Sequence, residues 1–232
     1  MIRCSICGSQ NNDLSVVCSS CKGFLQGRPD ALNLFSTMWG LLESPRGTFR
    51  QIVLAKHKNY SLILSALFGI SLALEIAWYK SLAQTISRTE VILGGALLLG
   101  PILGIVVVSI ATVLLKKATV PLRGIASYKN LFAALAYATM PMVLSLFFLV
   151  PIELAVFGSD FFGVNPPPML IKPFEYQVLM VLKGIVVLYS LYLVVEATLA
   201  ANAFARRRFL TVLLLVSGMA GAGVLALHYV KV

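Results

Sequence analysis

Five apolar runs, each long enough to cross a bilayer, limit what this chain can fold into. They lie at residues 60–79, 91–115, 131–157, 176–200 and 209–230. A helix needs roughly 20 residues to span the hydrocarbon core, and in that core each backbone polar group must be satisfied within the structure. Such runs predict an all-α polytopic membrane protein with five transmembrane helices. Composition agrees, since 59% of the 232 residues are hydrophobic and only 12% are charged, against about a quarter in soluble domains. The third run carries Pro141 and Pro151. Proline removes a backbone donor, so a kinked or broken helix is expected there.

Basic residues divide unevenly between the connecting segments. One side holds Arg46, Arg50, Lys56 and Lys58, then Lys116, Lys117, Arg123 and Lys129, then Arg206, Arg207 and Arg208. The other holds Lys80, Arg88, Lys172 and Lys231. The positive-inside rule makes the first side cytoplasmic, with the N-terminus inside and the C-terminus outside. Residues 1–30 are polar and show no signal-peptide pattern, which agrees with that placement. The net charge of +10 then faces anionic lipid headgroups of the inner leaflet, and no nucleic-acid partner is expected.

Ahead of the first run, the only four cysteines form two pairs, Cys4 with Cys7 and Cys18 with Cys21, in "CSICGSQNNDLSVVCSSC". Two C-x-x-C pairs are the ligand pattern of a tetrahedral structural zinc site. Two disulfides are the competing reading, disfavoured by a reducing cytoplasm. A redox pair is disfavoured because no βαβ pattern surrounds it. Gly8 and Gly23 are expected to supply the positive-φ turns of the two knuckles, and the spacer is long enough for a small hairpin. Residues 1–28 therefore read as a zinc ribbon, a closed four-sulfur site suited to contacts rather than catalysis. Residues 29–59 read as a linker with an interfacial amphipathic helix. Ser44 and Pro45 start that helix, Phe49, Ile52 and Val53 form its apolar face, and Trp39 anchors it. Residues 60–232 form the five-helix domain, and its outer loop "GSDFFGVNPPPMLIKP" reads as a stiff spacer.

Within the crossings, Glu75, Lys183 and Glu196 ask for partners, because an ionised side chain at the helix centre costs about 2.5–3.5 kcal/mol. Crossings one and four run in opposite directions and place Glu75 and Lys183 at similar depth, which suggests an interhelical ion pair. Glu196 is expected within reach of Lys116 or Lys117. Small residues mark packing faces: Gly100 and Gly104 form a GxxxG, and Ser217, Gly218 and Gly221 lie in the fifth crossing. Packing within the bundle is the default use, and a homo-oligomer face the other. The histidines are His57 and His228, and no H-E-x-x-H, G-x-S-x-G or P-loop motif occurs. Ser217 and His228 lie about 16 Å apart along one helix, too far for a catalytic hydrogen bond. An enzyme is not expected.

The order of these features resembles prokaryotic Yip1-domain membrane proteins over about residues 35–230. Its marks are Pro45 and Phe49 in "SPRGTFRQI", then Gly124, Tyr128, Phe132, Tyr137 and Pro141 in "GIASYKNLFAALAYATMP". A zinc ribbon ahead of that domain is a common companion in such proteins. The resemblance implies a five-helix domain with a cytosolic N-terminus and no catalytic residues, in a prokaryotic inner or plasma membrane. The DLYGP-type motif of the eukaryotic branch is absent, so small-GTPase binding is not carried over. The expected function is a non-enzymatic scaffold or adaptor, its head docking an unidentified cytoplasmic or membrane protein. The alternative is a conduit for lipid or a small solute lined by Glu75, Lys183 and Glu196.

Overall fold

The structure, a computed structural model, describes residues 2–27, 29–86, 88–163, 166–205 and 208–229. Arg206, Arg207 and Lys231, which entered the charge count, lie outside the described residues, as does Arg28 at the edge of the head.

The head contains strands β1 (Ile2–Arg3) and β2 (Gln10–Asn11), paired antiparallel with Ile2 opposite Asn11. Two helices follow, α1 (Leu34–Glu43) and α2 (Pro45–Leu54). Asn33 caps α1, its side chain accepting from the Ser36 amide at 3.1 Å. Ser44 precedes α2 with Pro45 at its start, as expected, although the serine side chain makes no cap bond.

Helices α3 (Ser61–Tyr79) and α4 (Thr89–Thr119) form the first two crossings. The third is broken as its prolines predict, into α5 (Tyr128–Ala138) and α6 (Met140–Phe157). The break falls at Thr139, two residues before Pro141, and the Thr139 hydroxyl donates to the Ala136 carbonyl at 2.8 Å. A side chain thus satisfies a carbonyl at the break. Pro151 stays inside α6. A short α7 (Pro168–Ile171) leads into α8 (Pro173–Ala201), and α9 (Phe209–Tyr229) ends the described chain. Four spans, Ser61–Tyr79, Thr89–Leu122, Tyr128–Phe157 and Pro173–Ala201, are long and apolar enough to cross a membrane, and the apolar stretch Phe209–Leu225 is shorter.

Glycine sets the closest approach in the bundle. A Cβ on Gly69 of α3 would fall on the Gly100 carbonyl oxygen and the backbone of Gly104, and one on Gly100 would sit 2.7 Å from the Ile70 Cα. The GxxxG of α4 therefore packs within the chain, against α3. The glycines of α9 differ: Gly218 and Gly221 have open space around them, and Ser217 is exposed.

The core has a head-end layer and a far-end layer. Phe49, Ile52, Leu131, Tyr137, Leu193 and Leu199 belong to the first, and Leu74, Phe157, Phe161, Phe162 and Leu179 to the second. Two expectations change here. The apolar face of α2 does not meet lipid: Phe49 and Ile52 are 0% exposed, in the core shared with α5 and α8. The helix that leaves an apolar face outside is α1, through Phe35, Trp39 and Leu42 at helical spacing. The outer loop is not a simple spacer either, because Phe161 and Phe162 turn inward and close the far end beside Trp78 and Phe157.

Candidate metal centre and buried ion cluster

The two cysteine knuckles repeat one backbone pattern. The Cys4 amide donates to the Ser9 carbonyl at 2.9 Å, and the Gly8 amide to the Cys4 carbonyl at 3.0 Å. In the second knuckle the Cys18 amide donates to Gly23 at 2.8 Å, and the Lys22 amide to Cys18 at 3.1 Å. The residue after each pair has positive φ, 70° at Gly8 and 58° at Lys22. Gly23 is thus not the turn residue. A Cβ there would meet the tip of the exposed Ile6 side chain at 2.5 Å and Cys21 Sγ at 3.3 Å. Each knuckle also tips its own ladder, β1 with β2 around the first and a Val17–Phe24 bridge around the second.

All four sulfurs lie within 4.8 Å of one another, with Cys4–Cys21 and Cys7–Cys18 both at 3.6 Å. A disulfide needs about 2.05 Å, and all four cysteines are free. A tetrahedron with metal–sulfur bonds of about 2.3 Å has sulfur–sulfur edges of about 3.8 Å, so the cluster fits a four-thiolate metal site. Its surroundings favour charge on Cys18 and Cys7 and oppose it on Cys21. The Ser9 hydroxyl, 3.0 Å from Cys18 Sγ, is the main cause holding that thiol down at about 5, followed by the Cys21 amide. Ser9 lowers Cys7 as well. Cys21 is pushed up to about 12: the Gly23 amide lowers it, but its neighbours Cys7, Cys4 and Cys18, together with burial, outweigh that. Four sulfurs this close cannot all be charged without a cation, which a bound metal would supply. Buried Asn11 braces the shell, accepting from the Ser19 amide at 2.8 Å and donating to the Ser9 carbonyl at 3.1 Å.

The head is tied to the bundle by Leu14, which packs against the head-end core, and by a polar clamp. Arg50 of α2 donates to the Asp13 carbonyl at 2.9 Å and to Gln26 Oε1 at 2.7 Å. At the same end Arg46 reaches the Phe204 carbonyl at 3.4 Å, Arg208 the Leu122 carbonyl at 2.6 Å, and Asn202 Oδ1 accepts from the Ala126 amide at 3.1 Å. Head, α4–α5 loop and α8–α9 loop therefore gather at one end of the molecule.

Toward the opposite end, Lys183 of α8 lies 2.9 Å from Glu75 Oε1 and 3.0 Å from Glu153 Oε1. Its ammonium also sits over the Phe161 ring at 4.8 Å and the Trp78 ring at 5.3 Å. Glu153 of α6 is fully buried, and sequence reasoning missed it. The signal was present: a carboxylate inside the third apolar run raises the same demand for a partner as Glu75 does. Glu196 is also buried, and its Oε2 has no hydrogen-bond partner among the described residues. Lys116 and Lys117 are exposed, and no ion pair joins either to Glu196 among the described residues. Their helix face turns them outward instead.

A cavity of about 480 Å³ opens at the head end among α3, α4 and α5, bordered by His57, Lys58 and Lys129. It contains none of Glu75, Glu153, Lys183 or Glu196.

Together these features define a polytopic all-α membrane protein carrying a small four-cysteine head. The profile of the Yip1 domain matches residues 39–228, most of the chain. The protein belongs to the Yip1 domain family. No curated protein and no solved structure matches it significantly.

Proposed function

We propose that this protein is a non-enzymatic membrane scaffold whose head, folded around structural zinc on the cytoplasmic side, is a docking surface. The observation that carries this reading is the outward face of the head. Ile6 and Phe24 are 70% and 66% exposed, and Val17 lies beside Phe24 in the ladder. Ile6 also touches the Gly23 position, so the apolar residues are contiguous. A small domain that uses metal in place of a core, yet leaves large apolar side chains outside, is built to present them. Arg50 holds that face in a fixed relation to the bundle. The cytoplasmic assignment rests on the basic residues gathered at the head end, and a prokaryotic membrane on the resemblance alone.

Against the conduit reading stands the immobilisation of Lys183 by two carboxylates and two aromatic rings. A relay residue needs freedom to exchange partners. The test is quantitative co-purification from the native membrane of wild type and the Ile6→Ser/Phe24→Ser double variant. The scaffold reading expects the variant to keep its zinc and its membrane level while losing specific partners. An unchanged partner set would refute it.

A further inference from the structure

The head-end cavity is a candidate ligand site that owes nothing to the cysteine cluster. Its polar border comes from the connection into α3, with His57 and Lys58, and from the first turn of α5, with Tyr128 and Lys129. Its other walls are Leu62 of α3, Ile105 of α4 and Phe132 of α5. Tyr128 and Phe132 stack with ring centroids 6.0 Å apart and form one side.

Three physical features select the ligand. The lining carries two lysines, a histidine and no carboxylate, so an anion is favoured. Lys58 donates to the Ile52 and Val53 carbonyls at 2.5 and 2.7 Å, which fixes its charge at the end of α2. Lys129 is exposed and has no ion-pair partner among the described residues, so it can grip directly. Depth is the second feature. Gly104 packs on the Ser65 carbonyl and the Gly69 backbone, so Ile105 and Ser109 stand beside the first turn of α3, just below the rim. An apolar wall of Leu62, Ile105 and Phe132 thus lies directly beneath the basic rim, and a free anion would leave that wall unused. Third, a volume of about 480 Å³ suits a headgroup and the upper part of its chains.

We propose that this cleft binds one anionic glycerophospholipid from the leaflet that faces the head. The phosphate lies between His57 and Lys129, and an acyl chain runs along Leu62, Ile105 and Phe132. The inference is independent of what the head docks.

Native mass spectrometry of the full-length protein, released from micelles containing equal phosphatidylglycerol and phosphatidylcholine, tests it. Wild type should retain one phosphatidylglycerol in preference to phosphatidylcholine. His57→Gln/Lys129→Gln should lower that preference by about fivefold, the share of the lysine charge, while the far-end control Lys172→Gln keeps it. Ile105→Trp, which fills the lower wall, should abolish retention. Should that variant fail to fold, the surface variant still decides. Equal retention of the two lipids by wild type would overturn the proposal. So would an unchanged preference in the double variant, or loss of the bound lipid to an equal concentration of inorganic phosphate.

Discussion

Replacing Lys183 with methionine should be among the most damaging single changes in the bundle. Its ammonium is the one positive group within 3.0 Å of both Glu75 and Glu153 among the described ion pairs. Methionine keeps much of the volume but leaves two carboxylates facing each other. Removing one partner of a buried pair costs about 3–5 kcal/mol. Glu153, with its side chain at 0% exposure, bears that penalty in full, whereas Glu75 at 26% is less enclosed. For a domain of this size the loss lowers Tm by roughly 10 °C. The assay is thermal unfolding of the purified protein in one detergent, followed by size-exclusion profile. The triple variant Lys183→Met/Glu75→Gln/Glu153→Gln should recover most of the loss, because a buried ion cluster exchanged whole for neutral groups is often near neutral. If Lys183→Met melts with wild type, or the triple variant is no better than the single, the cluster is not what holds α3, α6 and α8 together.

Gly104→Ala should destabilise by about 1–3 kcal/mol, since its Cβ would strike the Ser65 carbonyl and the Gly69 backbone; Gly94→Ala, with open space around it, should melt with wild type. Arg50→Met should free the head without unfolding it, so limited proteolysis cuts between residues 21 and 33 faster while zinc content stays unchanged. Chelation, or Cys4→Ser, should strip one metal ion per chain by elemental analysis and expose residues 2–27 to protease. The bundle's Tm should hardly move, because the two parts are joined through few side chains.

Periodicity and run length made the helices legible, and the four-cysteine spacing made the head legible, because each pattern answers a demand that permits few solutions. The break at Thr139 was also readable, from Pro141. What escaped was the choice of neighbour. An amphipathic stretch such as Phe49, Ile52 and Val53 wants cover, and sequence does not say whether lipid or protein supplies it. Here α5 and α8 do, and α1 is the helix left with an exposed apolar face. Glu153 escaped as well. Its charge inside a long apolar run poses the same question as Glu75, and the same Lys183 answers both.

The marks of the family resemblance point the same way. Phe49 is 0% exposed in the head-end core, and Tyr137, equally buried, donates its hydroxyl to the Asn59 carbonyl at 2.8 Å. A Cβ on Gly124 would meet Asn202 Oδ1 at 2.5 Å, and that same oxygen accepts from the Ala126 amide. Each of these residues draws a loop or helix end onto the head end of the bundle, and none presents a reactive group to an open surface. Tyr128 and Phe132 differ, since they reach the cleft between the basic rim and the apolar wall. They link the architecture that the family marks specify to the place where a membrane lipid would be held.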